Sequence, residues 1–193
     1  IAFKTWTQGN DYSLTLITAP AKESGQTFLK RKNELWNWVP SINRMVKLPP
    51  SMMSQGWMGS DFSNDDIIKE FSMVEDYNHE IMGEASIDGE ACYKIRLLPK
   101  KDAAVVWGKV MKWITKDRYL QLKTEYYDEE DYLVKTEKAW DIQKMDDRYI
   151  PTRFEIIPAD KEGHKTVMVM EDVEFNIDKG PRFFSQQNMK RVR

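Results

Sequence analysis

The stretch HEIMGEASIDGEACYKIRLLP (79–99) decides the fold. Side chains alternate in character on both sides of Asp88-Gly89, and an Asp-Gly pair between two alternating runs is a strong short-range signal for a two-residue β-hairpin. The same pattern repeats outward from this point. Upstream lie YSLTLIT (12–18), QTFLKR (26–31), ELWNWVP (34–40) and NRMVKL (43–48), punctuated by Gly25, Asn33 and Pro40-Ser41. Downstream lie VVWGKVMKWIT (105–115), YLQLKTEYY (119–127), YLVKTEKAWDIQ (132–143), IPTRFEIIP (150–158) and KTVMVMEDVEF (165–175). Their turns fall at Lys116-Asp117, 128–131, Asp146-Asp147 and 161–163. Period-two runs separated by such residues read as antiparallel strands joined by short turns.

About ten strands in one sheet curl rather than stay flat. The expected fold class is therefore mainly β: a curved antiparallel sheet forming an incomplete, half-open β-barrel, with short helices covering the opening. Helical signals are few. In SNDDIIKEF (63–71) Ser63 is placed as an N-cap, acids follow in the first turn, and Ile67, Ile68 and Phe71 share one face. FFSQQNMKRV (183–192) predicts one more helical turn. In 105–115, Trp107, Met111 and Trp113 fall on one side and Val110 and Ile114 on the other, so both faces of that strand need cover. In 119–127 Leu120 and Leu122 oppose Gln121, Lys123 and Glu125, the half-wet pattern.

Composition narrows the function. With 29 basic and 31 acidic side chains, the chain has no general attraction for nucleic acid or a membrane surface. No apolar run approaches the roughly 20 residues of a membrane span. Cys92 has no partner for an internal disulfide, and His79 and His164 stand at no familiar zinc spacing from it, so no metal site is expected. Cys92 reads as a structural interior thiol. Neither a Gly-rich phosphate loop nor a G-x-S-x-G elbow occurs, so no catalytic residue, cofactor or enzyme activity is expected. Asp61, Ser63, Asp65 and Asp66 resemble the opening of a calcium loop. Asp66, however, stands where that loop needs Gly, and Ser72 where it needs a bidentate Glu, so helix capping is the better account. The chain reads as a single domain, 1–193, truncated at its N-terminus. Ile1 is not a start methionine and already lies in an alternating segment.

The sequence holds 11 Met and 7 Trp, and SMMSQGWMGSDFSNDD (51–66) concentrates them beside acids and amides. Met52, Met53, Trp57, Met58 and Phe62 follow closely on Trp36, Trp38 and Met45. Two readings stand at this point: a lid that completes the core, or a lid over a cavity whose soft side chains adapt to acyl chains.

WMGSDFSNDD (57–66), preceded by LWNWVPSINRMVKLPPSMMSQG (35–56), resembles the bacterial outer-membrane lipoprotein-sorting protein family, relatives of the LolA/LolB periplasmic carriers. The resemblance rests on Trp57, Met58, Gly59, Ser60, Asp61, Phe62, Asn64, Asp65 and Asp66, with Trp36, Trp38 and Pro40 upstream. It continues more loosely through LKTEYYDEEDYLVKT (122–136) to FFSQQNM (183–189). It implies an incomplete barrel with helices over its opening, and a hydrophobic interior that shelters lipid or lipoprotein acyl chains crossing the periplasm toward the outer membrane. It also implies an export signal, and a first helix and strand, upstream of residue 1. On that basis the ligand-binding residues are Trp36, Trp38, Met45, Met52, Met53, Trp57, Met58, Phe62, Met111 and Trp113. The lid motif is Gly59, Ser60, Asp61, Ser63, Asn64, Asp65 and Asp66. The expected partners are lipid or lipoprotein acyl chains, an inner-membrane transporter or exporter, and a peripheral membrane contact. A different class of function is a non-enzymatic interaction subunit of an envelope exporter or assembly complex, with a packed interior.

Overall fold

The structure, a computed structural model, describes residues 1–32, 34–53, 55–64, 73–103 and 105–193. Among the described residues the alternating runs become β1 (Ala2–Gln8), β2 (Tyr12–Ala19), β3 (Thr27–Arg31), β4 (Glu34–Val39), β5 (Arg44–Lys47), β6 (Tyr77–Ile87), β7 (Glu90–Pro99), β8 (Lys109–Thr115), β9 (Gln121–Tyr127), β10 (Leu133–Met145), β11 (Arg148–Pro158) and β12 (Thr166–Val169). Two one-turn helices, α1 (Met73–Asp76) and α2 (Gln186–Met189), accompany them. The mainly β, antiparallel, unclosed fold with only short helices is as expected. Its strands divide between two sheets instead of running through one: β1 to β5 in chain order, and β6 to β12 in chain order. The change of sheet follows Pro49-Pro50, where alternation lapses and residues without an N–H cannot extend a ladder.

The chain forms two compact units. The first comprises Ile1–Gln55, Ser63–Phe71 and Ile177–Arg193. Its five strands pair in register, Trp6 opposite Leu14, Leu14 opposite Leu29, Leu29 opposite Trp36 and Trp38 opposite Met45, so these side chains line one face. Phe183, Phe184, Met189 and Val192 of the C-terminal segment pack on that face. Ser185 caps α2 by accepting from the Asn188 N–H, and Thr27 Oγ1 donates to the Met189 carbonyl, which ties the segment to β3. Ile17, Phe28 and Leu35, on the other face, are also buried.

The second unit comprises Gly56–Phe62 and Ser72–Asn176. Its β6–β7 turn is the Asp88-Gly89 pair, with φ of 49° and 86°, as a two-residue hairpin with the mirror-image turn requires. One end of the sheet buries Leu97, Val110 and Tyr126 against Tyr77 and Met73 of α1. Two local expectations are corrected here. Trp107 lies before β8 and packs on Tyr126 at 5.1 Å, apart from Met111 and Trp113, because Gly108 runs against the backbone of Asp128 and turns the chain. The strand expected over 165–175 ends at Val169, the last residue to pair with β11; beyond it the Phe175 N–H donates to Asp146 and the Phe175 ring stacks on Arg148. The amphipathic helix expected over 63–71 falls almost wholly on 65–72, outside the described residues, and Asp65 and Asp66 lie there too.

Candidate functional site

The Trp-Met-Gly-Ser-Asp-Phe segment is a closed clasp. The Trp57 N–H donates to the Phe62 carbonyl at 2.6 Å. Inside that ring, the Ser60 N–H and Oγ both donate to the Trp57 carbonyl, and Ser60 Oγ accepts from the Phe62 N–H. The curl needs unusual backbone: Met58 and Gly59 take φ of 52° and 75°. It also needs a residue without a side chain at 56, since a Cβ on Gly56 would stand 2.6 Å from the Ser60 carbonyl oxygen. Trp57 is buried; Met58 and Phe62 are half-buried.

Asp61 fastens the clasp to edge strand β12. Its side chain is only 7% exposed, its N–H donates to Thr166 Oγ1, and Thr166 Oγ1 donates back to Asp61 Oδ2 at 2.6 Å. His164 Nε2 lies 3.5 Å and Lys161 Nζ 3.9 Å from Asp61 Oδ1. Burying a polar group is costly unless it is hydrogen-bonded, and these contacts meet that need. Nothing in the sequence singled out Thr166, His164 or Lys161, because they stand a hundred residues from the motif they complete.

The remaining candidates in the first unit lie in two places. Trp36, Trp38 and Met45 share the face covered by the C-terminal segment; Trp38 is 8% exposed, with Lys190 Nζ 4.8 Å above its ring. Lys47 lies over Trp36 and pairs with Glu34, whose carboxyl is held below the usual carboxylate range chiefly by that hydrogen bond. Met52, 38% exposed, ends a short 3-10 turn, Pro50–Met52, and Met53, which follows it, is half-buried. Asn64 holds this turn, its side chain donating to the Met52 carbonyl and its N–H to Gln55. Ser63, half-buried, precedes it.

Met111 and Trp113 are not brought to the clasp. Met111 stands opposite Arg96 and Glu125, and Trp113 opposite Lys94 and Lys123. Lys94 and Lys123 hold their amines over the Trp113 ring at 5.3 and 4.6 Å, and Lys123 Nζ also pairs with Glu125 at 2.7 Å. Thr166, which anchors the clasp, shares the other face, since it pairs with Ile156, Ile156 with Glu137 and Glu137 with Thr124. On the Trp113 face, burial would raise the Glu125 carboxyl, but hydrogen bonds from Lys123 and Tyr127 outweigh it and hold that carboxyl below the usual range.

The chain is an unclosed antiparallel β-protein, and its solved neighbours are LolA-like. A family model described as "Uncharacterized protein" matches residues 9–191, and the chain belongs to that family. A DUF1329 family protein from Desulfovibrio piger is 27% identical, with TM-score 0.84 over 97% of this chain and 82% of its own. A LolA superfamily protein from Nitrosomonas europaea is 26% identical, with TM-score 0.77 over 96% of this chain and 81% of its own. A domain assigned to outer membrane lipoprotein sorting, from Vibrio parahaemolyticus, shares the fold at 21% identity, with TM-score 0.80 over 98% of this chain and 82% of its own. Comparison with curated proteins gives no match.

Proposed function

We propose that this protein is a non-enzymatic periplasmic carrier that takes up lipid or lipoprotein acyl chains for transport toward the outer membrane, in transient contact with the membrane or with an inner-membrane transporter. The observation that carries the reading is the likeness, along nearly the whole chain, to a LolA superfamily protein, combined with the methionine and aromatic side chains of 52–62. The driving force would be removal of cargo from water, at about 0.8 kcal/mol per buried methylene. Release would follow from a shift between conformations of unequal affinity for cargo, without covalent chemistry.

Met52, Met53, Met58 and Phe62 are the contacts favoured by their partial exposure. Trp38 would meet cargo only if the C-terminal segment moved off its face, where Trp36 and Met45 are half-buried. Trp57 serves the clasp, Trp113 stands beneath Lys94 and Lys123, and Met111 is buried between Arg96 and Glu125 on the neighbouring strands. The test is uptake of a fluorescent fatty acid by the full-length protein and by the double variant Met53→Asp, Met58→Asp. A tenfold or greater loss with an unchanged far-ultraviolet spectrum is expected; equal uptake by the variant, or none by the wild type, overturns the reading.

The filled face beneath Phe184 favours a second reading, an interaction subunit of an envelope exporter or assembly complex with a packed interior. Native mass spectrometry separates the two: co-purifying lipid supports the carrier, and a retained protein partner without lipid supports the subunit.

A further inference from the structure

Each sheet ends in strands with one bare edge, and a bare edge offers a row of backbone N–H and C=O groups to another strand. Three of these edges resist pairing with a copy of themselves. β5 begins and ends on cations, Arg44 and Lys47. β6 sets Glu80 and Glu84 on either side of Met82, and its ladder slips between Ile81 and Gly83. β1 carries Lys4 and no acid to answer it.

β12 is different. From Thr166 to Met170 the chain reads Thr-Val-Met-Val-Met, without a charge, and Val167 and Val169 are 45% and 46% exposed. The Met170 N–H donates to the Thr152 carbonyl, so by alternation along an antiparallel ladder the backbone groups of Met168 also face β11, while those of Val167 and Val169 turn outward. The clasp reaches β12 through the Thr166 side chain and leaves those outward groups alone. Charges resume immediately on either side. They are Lys165, whose amine pairs with Glu155, and Glu171, which is exposed and has no ion-pair partner among the described residues.

This stretch is complementary to itself. Laid antiparallel about Met168, a second copy sets Val167 opposite Val169, where both residues present outward N–H and C=O groups, and brings Lys165 opposite Glu171 at each end. We propose that the β12 edge is an isologous docking surface for a second copy of this chain, in which two β12 strands pair about a two-fold axis at Met168 and join the two seven-stranded sheets. The contact is short, so the dimer is a transient one, and it stands apart from the carrier reading.

The experiment is sedimentation velocity on the full chain over a concentration series, for the wild type, Lys165→Glu, Glu171→Lys and the double variant carrying both. A monomer–dimer equilibrium is expected. Each single variant sets like charges opposite one another at both ends of the contact and should raise the dimer Kd about tenfold, and the double variant, with the pair reversed, should restore it. Amide exchange at Val167 and Val169, fast in the monomer, should slow as the concentration rises. A wild type that stays monomeric up to about 1 mM overturns the proposal, whether the edge is then bare or taken by a strand of another protein. A dimer whose Kd neither single variant moves overturns it as well, since the contact then lies elsewhere. Loss of the Lys165–Glu155 pair does not mimic the expected pattern, because Glu171→Lys leaves that pair intact and the double variant does not rebuild it.

Discussion

Gly56 shows how much of the motif is steric. Nothing about its φ requires glycine; the requirement comes from the Ser60 carbonyl, 2.6 Å from where a Cβ would stand, and from the bonds that hold that carbonyl in place. Gly56→Ala is therefore expected to destabilise the protein by about 1–3 kcal/mol, seen as a lower Tm. Tyr127 makes a different kind of prediction. Burial, then its hydrogen bond to Glu125, push its hydroxyl up to about 12 from 10. A proton held more tightly in the folded chain than in the unfolded one contributes stability that is fully present below pH 10 and is lost as pH rises through 12. Tyr127→Phe should flatten the fall in stability between those values, measured by urea unfolding at stepped pH. Asp61 was legible as a member of the Trp-Met-Gly-Ser-Asp-Phe motif. Its partner Thr166 was not, because a hydroxyl in an alternating strand carries no mark of what it will hold.

At the scale of elements, local chemistry was read well and long-range cover poorly. The Asp88-Gly89 turn and the period-two strands were legible because both depend on neighbouring residues alone. The helical turn near the C-terminus was legible from Ser185 and the residues after it. That it would lie on Leu14, Leu29 and Trp38 was not, since any apolar face could have received Phe183 and Phe184. Phe184 is fully buried and packs edge-on against Phe183 at 5.4 Å. Phe184→Ala should cost about 3–5 kcal/mol, read from urea unfolding, by opening a cavity over the first sheet.

For the molecule as a whole, the strand count and antiparallel order came through, but the partition into two sheets did not, because alternation fixes which side chains share a face and says nothing of where a ladder ends. The candidate contacts scattered for the same reason: Met111 and Trp113 alternate as a cavity lining would, and only the cross-strand neighbours Lys94 and Lys123 show that Trp113 sits under charged side chains. Protection should follow ladder position. Amide exchange is expected to be slowest in β2 to β4 and β7 to β11, which have a partner on each side, and fastest in the terminal strands β1, β5, β6 and β12. Uniform protection across each sheet would contradict this.

Every bond that closes the clasp joins residues between Trp57 and Phe62, so its closure is local while its attachment, through Asp61, is not. Degradative enzymes must draw their substrate out straight across a cleft before cutting. The curl holds the Trp57 indole and the Met58 thioether on a backbone that is not in the extended form a peptidase cleft requires.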